Sequence, residues 1–170
     1  RVSSERRLYA PIGYMDASVI TSNQVLMIPE AGLFEFGVLS SEIHMDWMKT
    51  VTGRLKSDYR YSASVVYNTF PWPNASKPKR QTIEALAEEI LLIREDFPDK
   101  TLAKLYDPEK MPEKLLAAHK ELDRAVEKLY RDIPFRDAAE RLTHLFGRYE
   151  KLIAQEEAQA AVKETSKGSK

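Results

Sequence analysis

The chain has 170 residues, with 26 Lys and Arg against 26 Asp and Glu, so its formal net charge is zero and no global basic field announces a nucleic-acid partner. Its length allows one good core or two small ones. The absence of cysteine excludes disulfides and thiolate metal sites and fits a reducing cytoplasm, and no apolar run approaches the roughly 20 residues of a membrane span or the core of a signal peptide. Beginning at Arg1 and running at once into strand-like sequence, the chain reads as a piece of something longer.

Residues 1–7, with Arg1, Arg6 and Arg7 against Glu5, read as a frayed linking segment. Residues 8–14 read as a short strand limited by Pro11 and Gly13. The continuous apolar run Val25, Leu26, Met27 and Ile28 fits a strand buried on both faces. Residues 33–39, with Phe34 and Phe36, are core however they are wound. Ser40 or Ser41 is a candidate N-cap for a helix over 42–52, in which Ile43, Trp47, Met48 and Val51 keep helical spacing. His44 in that helix reads as a partly exposed histidine without a catalytic partner.

Arg54, Lys56, Asp58 and Arg60 then stand at every second position. In one continuous extended segment they project to a single face, with Tyr59 and Tyr61 on the other as packing residues. Residues 63–70, with Val65, Val66, Tyr67 and Phe70, favour a strand, and Pro71 and Pro73 end it. Trp72 between the prolines reads as an anchor against the C-terminal helices. A row of alternating cationic and anionic groups suits base edges, since Arg or Lys pairs with guanine O6 and N7 and Asp accepts from cytosine N4. The same row also reads as a solvated sheet edge with ordinary ion pairs.

Past a polar hinge at 74–79 the pattern becomes helical. Ile83, Leu86, Ala87, Ile90 and Leu91 share one stripe, a helical turn fits 102–106, and Leu115, Leu116, His119, Leu122, Val126 and Leu129 share a second stripe. After Pro134, Leu142, Leu145, Phe146, Tyr149 and Ile153 define a third. The expected class is α+β. Residues 1–74 form a small mixed sheet with one packed helix, residues 78–155 a C-terminal three-helix bundle, and residues 156–170 a flexible tail, its last residues 165–170 disordered.

Two runs carry a specific likeness: Leu55-Lys56-Ser57-Asp58-Tyr59-Arg60-Tyr61-Ser62 and Asn68-Thr69-Phe70-Pro71-Trp72-Pro73. With Arg7-Leu8-Tyr9-Ala10-Pro11-Ile12-Gly13, Ile28-Pro29-Glu30-Ala31 and Leu105-Tyr106-Asp107-Pro108, they resemble the end of the target-recognition domain and the C-terminal helical domain of MmeI-like Type II restriction–modification proteins. The resemblance implies a longer parent that joins an endonuclease to an adenine-specific N6 DNA methyltransferase. It implies S-adenosylmethionine and Mg2+ as the parent's cofactors, and double-stranded DNA and the parent's own methyltransferase domain as partners. It also implies that Arg54, Lys56 and Asp58 choose bases, that Ser22 and Asn23 approach the same groove from an adjacent strand, and that Arg60 reaches a base or a phosphate.

Catalytic motifs are missing from these residues. No Gly-x-Gly turn or Pro-Pro pair suits a methyltransferase site, and no Asp/Glu-x-Lys triplet suits a metal-dependent nuclease. The three histidines, His44, His119 and His144, are far apart, and no zinc site or other metal centre is expected. The expected role is therefore DNA recognition without catalysis or a cofactor in this stretch. The competing reading is a scaffolding module that docks other domains without touching bases.

Overall fold

The computed structural model describes residues 2–16 and 18–167. Residues 2–60 contribute a small antiparallel sheet, made by β1 (Val2–Ser3), β2 (Gly53–Leu55) and β3 (Asp58–Arg60) in the order β1-β3-β2. The segment expected to be frayed therefore holds one edge of this sheet, pairing Val2 with Arg60 and Ser3 with Tyr59. Arg1 lies outside the described residues.

Two helices, rather than the single one expected, stand between β1 and β2. The first, α1 (Leu33–Leu39), is opened by Glu35, whose carboxylate accepts the Gly32 N–H at 2.9 Å. The second, α2 (Glu42–Val51), begins after the N-cap Ser41 as expected. The Ser41 hydroxyl donates to the Val38 carbonyl at 2.6 Å, and the Glu42 N–H is instead accepted by Asp123 at 2.7 Å. A carboxylate far along the chain thus satisfies a helix-start donor that local sequence leaves open.

Three expected strands are absent. Residues 8–14 are irregular although Tyr9 and Ala10 are buried. Residues 25–28 are also irregular, and Val25, Met27 and Ile28 are exposed. Both long edges of β3 are already occupied by β1 and β2. Residues 63–67 form a π-helical turn instead of a strand, with Val66 buried and its carbonyl accepting the Trp47 indole N–H at 3.3 Å. Strand propensity reports a fit to a pleated surface, and here both edges of β3 are already taken.

The remaining chain is helical: α3 (Lys77–Glu95), α4 (Leu102–Leu105), α5 (Glu113–Tyr130) and α6 (Ala138–Lys167). Pro112 is the N-cap of α5. The last helix runs on through residues 156–167, the stretch read as a tail. Its Ala, Glu, Gln and Lys are strong helix formers that need no apolar stripe. Residues 168–170, part of the stretch expected to be disordered, lie outside the described residues.

The α+β class holds, and the N-terminal helices pack among the long ones. The α1 helix lies on α3, α3 on α5, and α2 on α6. One apolar cluster takes in Tyr9, Phe34, Phe36, Ile43, Trp47 and Phe70 from the first 74 residues. It continues through Ile83, Ile90, Leu115, Leu122 and Leu145 of the C-terminal helices. The Trp72 indole, expected to anchor against the C-terminal helices, meets Tyr67 and Phe70 edge-on at 5.5 and 5.6 Å, and its backbone carbonyl accepts from Arg148 of α6 at 3.1 Å.

Candidate nucleic-acid interface

The charged run 54–60 is a hairpin and not one extended strand. The α2 helix stops at Val51, and Thr52 turns the chain into extended geometry. Its hydroxyl then donates to the Arg60 carbonyl and ties the hairpin's open end. Gly53 pairs with Arg60, Arg54 with Tyr59 and Leu55 with Asp58. The two-residue loop is Lys56-Ser57, and Lys56 sits at φ 58°. Tight hairpins require this left-handed conformation. A side chain there costs roughly 1–2 kcal/mol.

This geometry corrects the single charged face. Residues paired across a hairpin point to the same side. Arg54 therefore shares the inner side with Tyr59, which is buried. Its guanidinium lies 4.8 Å over the Tyr59 ring, pairs with Glu5 at 2.9 Å and donates to the Ser57 carbonyl at 3.1 Å. Asp58 and Arg60 share the outer side with Leu55 and Gly53, and Lys56 stands at the tip. The structure thus places Asp58 and Arg60 on one side of the hairpin with Lys56 at its tip, a charged lip, and turns Arg54 to the opposite side, where its side chain stays half exposed. Ser22 and Asn23 lie on an exposed turn, closed by the Val25 N–H to Ser22 carbonyl bond at 3.1 Å, and not on a strand beside the hairpin.

The lip is seated on buried polar contacts that helical periodicity does not reveal. His44, read as partly exposed, is fully buried. Its Nδ1 lies 3.0 Å from the Leu39 carbonyl and its Nε2 3.1 Å from the Tyr61 hydroxyl. Burial lowers its pKa to about 4, so the ring is neutral. The Nδ1–H donates to Leu39 and Nε2 accepts from Tyr61, which fixes the residue just past β3.

A second buried network joins the first 74 residues to the helices. Arg94 donates to the Tyr106 hydroxyl at 2.9 Å and to the Ile12 carbonyl at 2.8 Å. Tyr106 in turn bonds His119 Nε2 at 2.7 Å, and the His119 ring stacks on Tyr9 at 4.2 Å. Burial, then the Arg94 cation, lowers the His119 pKa to about 3. Tyr9 donates to Asp123 at 2.6 Å. Burial raises the Asp123 pKa to about 7, against the pull of the Tyr9 hydroxyl and the Glu42 N–H. Beside it, Arg141 is ringed by Asp46 at 2.6 Å, Glu127 at 3.0 Å and Glu42 at 3.0 Å. In sequence these residues read only as parts of a short strand, of a helical turn or stripe, or as surface charges.

A charged hairpin lip, locked onto a helical body through one shared core, is the arrangement these residues define. Residues 1–74 match the family model for the MmeI target recognition domain, and residues 75–156 match that for the MmeI C-terminal domain. The chain belongs to this MmeI family of restriction–modification proteins. It is 46% identical over 151 residues to DNA methyltransferase A of Bacillus subtilis (strain 168), covering 89% of this chain and 17% of that protein. It also matches the solved structure of the Type IIL restriction-modification enzyme MmeI in complex with DNA. That match has a TM-score of 0.85 and 46% identity over 90% of this chain and 20% of that one. The chain thus spans a fifth or less of the length of these relatives.

Proposed function

We propose that this chain is a DNA sequence-reading segment of a longer adenine-specific methyltransferase and restriction enzyme. The observation that carries the reading is the outward lip of Lys56, Asp58 and Arg60 on a hairpin whose base is fixed by Thr52, Tyr59 and Tyr61. A lysine at the tip offers donors to guanine O6 or N7, and Asp58 beside it accepts from cytosine N4. Arg60 reaches a base or a phosphate from the same outer side. Arg54 holds the lip through Glu5 and Tyr59. Ser22 and Asn23 supply a separate polar contact from their own exposed turn.

S-adenosylmethionine and Mg2+ belong to other parts of the parent in this reading. No group of three or more His, Asp or Glu among the described residues is arranged to hold a metal ion, and no chemical step is assigned to this chain. A docking role is favoured for a different face. Met15, Ile20 and Met27 expose large apolar side chains, which suits contact with the parent's methyltransferase domain.

The test is a charge exchange in the full-length parent, Lys56→Asp with Asp58→Lys, read by genome-wide mapping of methylated sites. A bidentate base contact discriminates by about 1–3 kcal/mol, so the methylated motif changes at one position. An unchanged motif methylated more slowly would overturn base reading by this lip and leave it a phosphate contact.

A further inference from the structure

The connector between α3 and α5, residues 96–112, folds around a cleft lined by Lys100, Lys104, Asp107 and Lys110. Three ammonium groups and one carboxylate give these four side chains a formal charge of +2 (three minus one), in a chain whose total is zero. The carboxylates around the cleft are largely engaged elsewhere. Asp107 turns back to accept the Glu109 N–H at 3.0 Å, Asp96 pairs with Lys114 at 3.0 Å, and Glu109 pairs with Arg6 at 3.7 Å. Asp99, exposed, is the remaining acid of the connector. Among the described residues none of the three lysines forms an ion pair, and Lys100 rests 4.9 Å over the Phe97 ring.

Two consecutive residues of the N-terminal segment reach toward the hairpin and the cleft, through surface ion pairs of which the second is long and largely exposed. Glu5 pairs with Arg54 of the hairpin, and Arg6 pairs with Glu109, the neighbour of Lys110. A duplex laid on the lip carries about one negative charge per 1.7 Å of axis, so its backbone runs on past the bases being read. Lysine is a point charge that suits phosphate oxygens without regard to base.

We infer that the cleft of Lys100, Lys104 and Lys110 is a phosphate-backbone contact for the duplex held by the hairpin lip. The inference rests on the reading given under Proposed function and extends it from the hairpin to the helical part of the chain. Contacts of this kind add affinity and set orientation while leaving sequence choice to the lip.

The experiment compares the full-length parent with a Lys100→Ala/Lys104→Ala/Lys110→Ala variant. Binding to duplexes with and without the recognised site is measured across a salt series. Each phosphate contact contributes about 0.9 to the slope of log affinity against log salt, so losing three flattens the slope by about 2–3. Both duplexes should weaken by the same factor while the methylated motif stays the same. Restoring charge with arginine at the three positions should recover the slope. The lysines are exposed, so a thermal melt of the variant should match the parent's.

An unchanged slope would overturn the inference, and so would loss of inorganic phosphate binding with duplex binding intact. A changed motif would instead make the cleft a reader of sequence and overturn its assignment as a backbone contact. If the Lys56 and Asp58 exchange still alters the motif while the lysine variant does nothing, the reading of the lip stands and only the cleft is refuted.

Discussion

Removing the Arg141 guanidinium is the sharpest test of how the two halves are held together. Its side chain is 9% exposed and faces Asp46 at 8%, Glu127 at 14% and Glu42 at 47%. The Arg141→Met variant keeps most of the aliphatic stem but strands the buried Asp46 and the partly buried Glu127 without their cation. Breaking a buried pair from one side costs about 3–5 kcal/mol. Glu42 adds little, because it is half in water. At about 2–4 °C per kcal/mol for a chain of this size, the melting midpoint should fall by roughly 6–20 °C. Circular dichroism melts of the 170-residue chain give the number directly. The control is Arg136→Ala, whose side chain is 82% exposed beside Glu140 and which should change stability by no more than about 1 kcal/mol. Adding Asp46→Asn to Arg141→Met should recover part of the loss, since one stranded charge is then neutral. A midpoint for Arg141→Met within about 2 °C of the unaltered chain would refute the account of a buried charge cluster joining α2, α5 and α6.

Titration and packing give two further expected outcomes. His44 stays neutral in the fold down to about pH 4, whereas the unfolded chain takes up its proton near 6.5. Stability is therefore complete above pH 6.5 and is lost as pH falls toward 4, by on the order of 3 kcal/mol. Urea melts at pH 7 and pH 4.5 should show less of this loss in His44→Gln, and equal losses in both proteins would sink the assignment. At Gly37, a Cβ would lie 2.7 Å from Ile83 Cγ2 and 3.3 Å from Ala87 Cβ. Gly37→Ala gains up to about 1 kcal/mol in helix propensity but meets about 1–3 kcal/mol of overpacking. The expected net effect is a lower urea midpoint, and a higher one would show that α1 and α3 have room to spare.

The long helices were legible because Ile83, Ala87 and Ile90, or Leu115, Leu122 and Val126, recur with the period of a helix. The row 54–60 was not, because alternation assumes that the chain keeps going. Lys56 and Ser57 reverse it, and the reversal turns Arg54 to the side opposite Asp58 and Arg60. The signal was slight: two polar residues between Leu55 and Asp58, without the glycine or asparagine that usually marks such a loop. Residues 25–28 looked like a buried strand because they are apolar. A strand also needs a neighbour, and both edges of β3 are taken. The burial of His44 depends on Tyr61, and that of Arg141 on Asp46, 95 residues away. No local pattern encodes such partners. Of the candidate site, the residue types were readable and their directions were not.

The shared core has a consequence for recombination between relatives. The family boundary falls between residues 74 and 75, yet Tyr9 meets Asp123, Ile12 meets Arg94 and Asp46 meets Arg141 across it. A chimera spliced at that boundary inherits half of each pair from a different ancestor and must find them compatible. The hairpin is a far smaller graft. Outside its neighbouring strand β1, residues 53–60 are held by Thr52 at the stem, Glu5 at Arg54 and the buried ring of Tyr59. An exchanged hairpin therefore disturbs none of these three pairs, whereas an exchanged domain disturbs all of them.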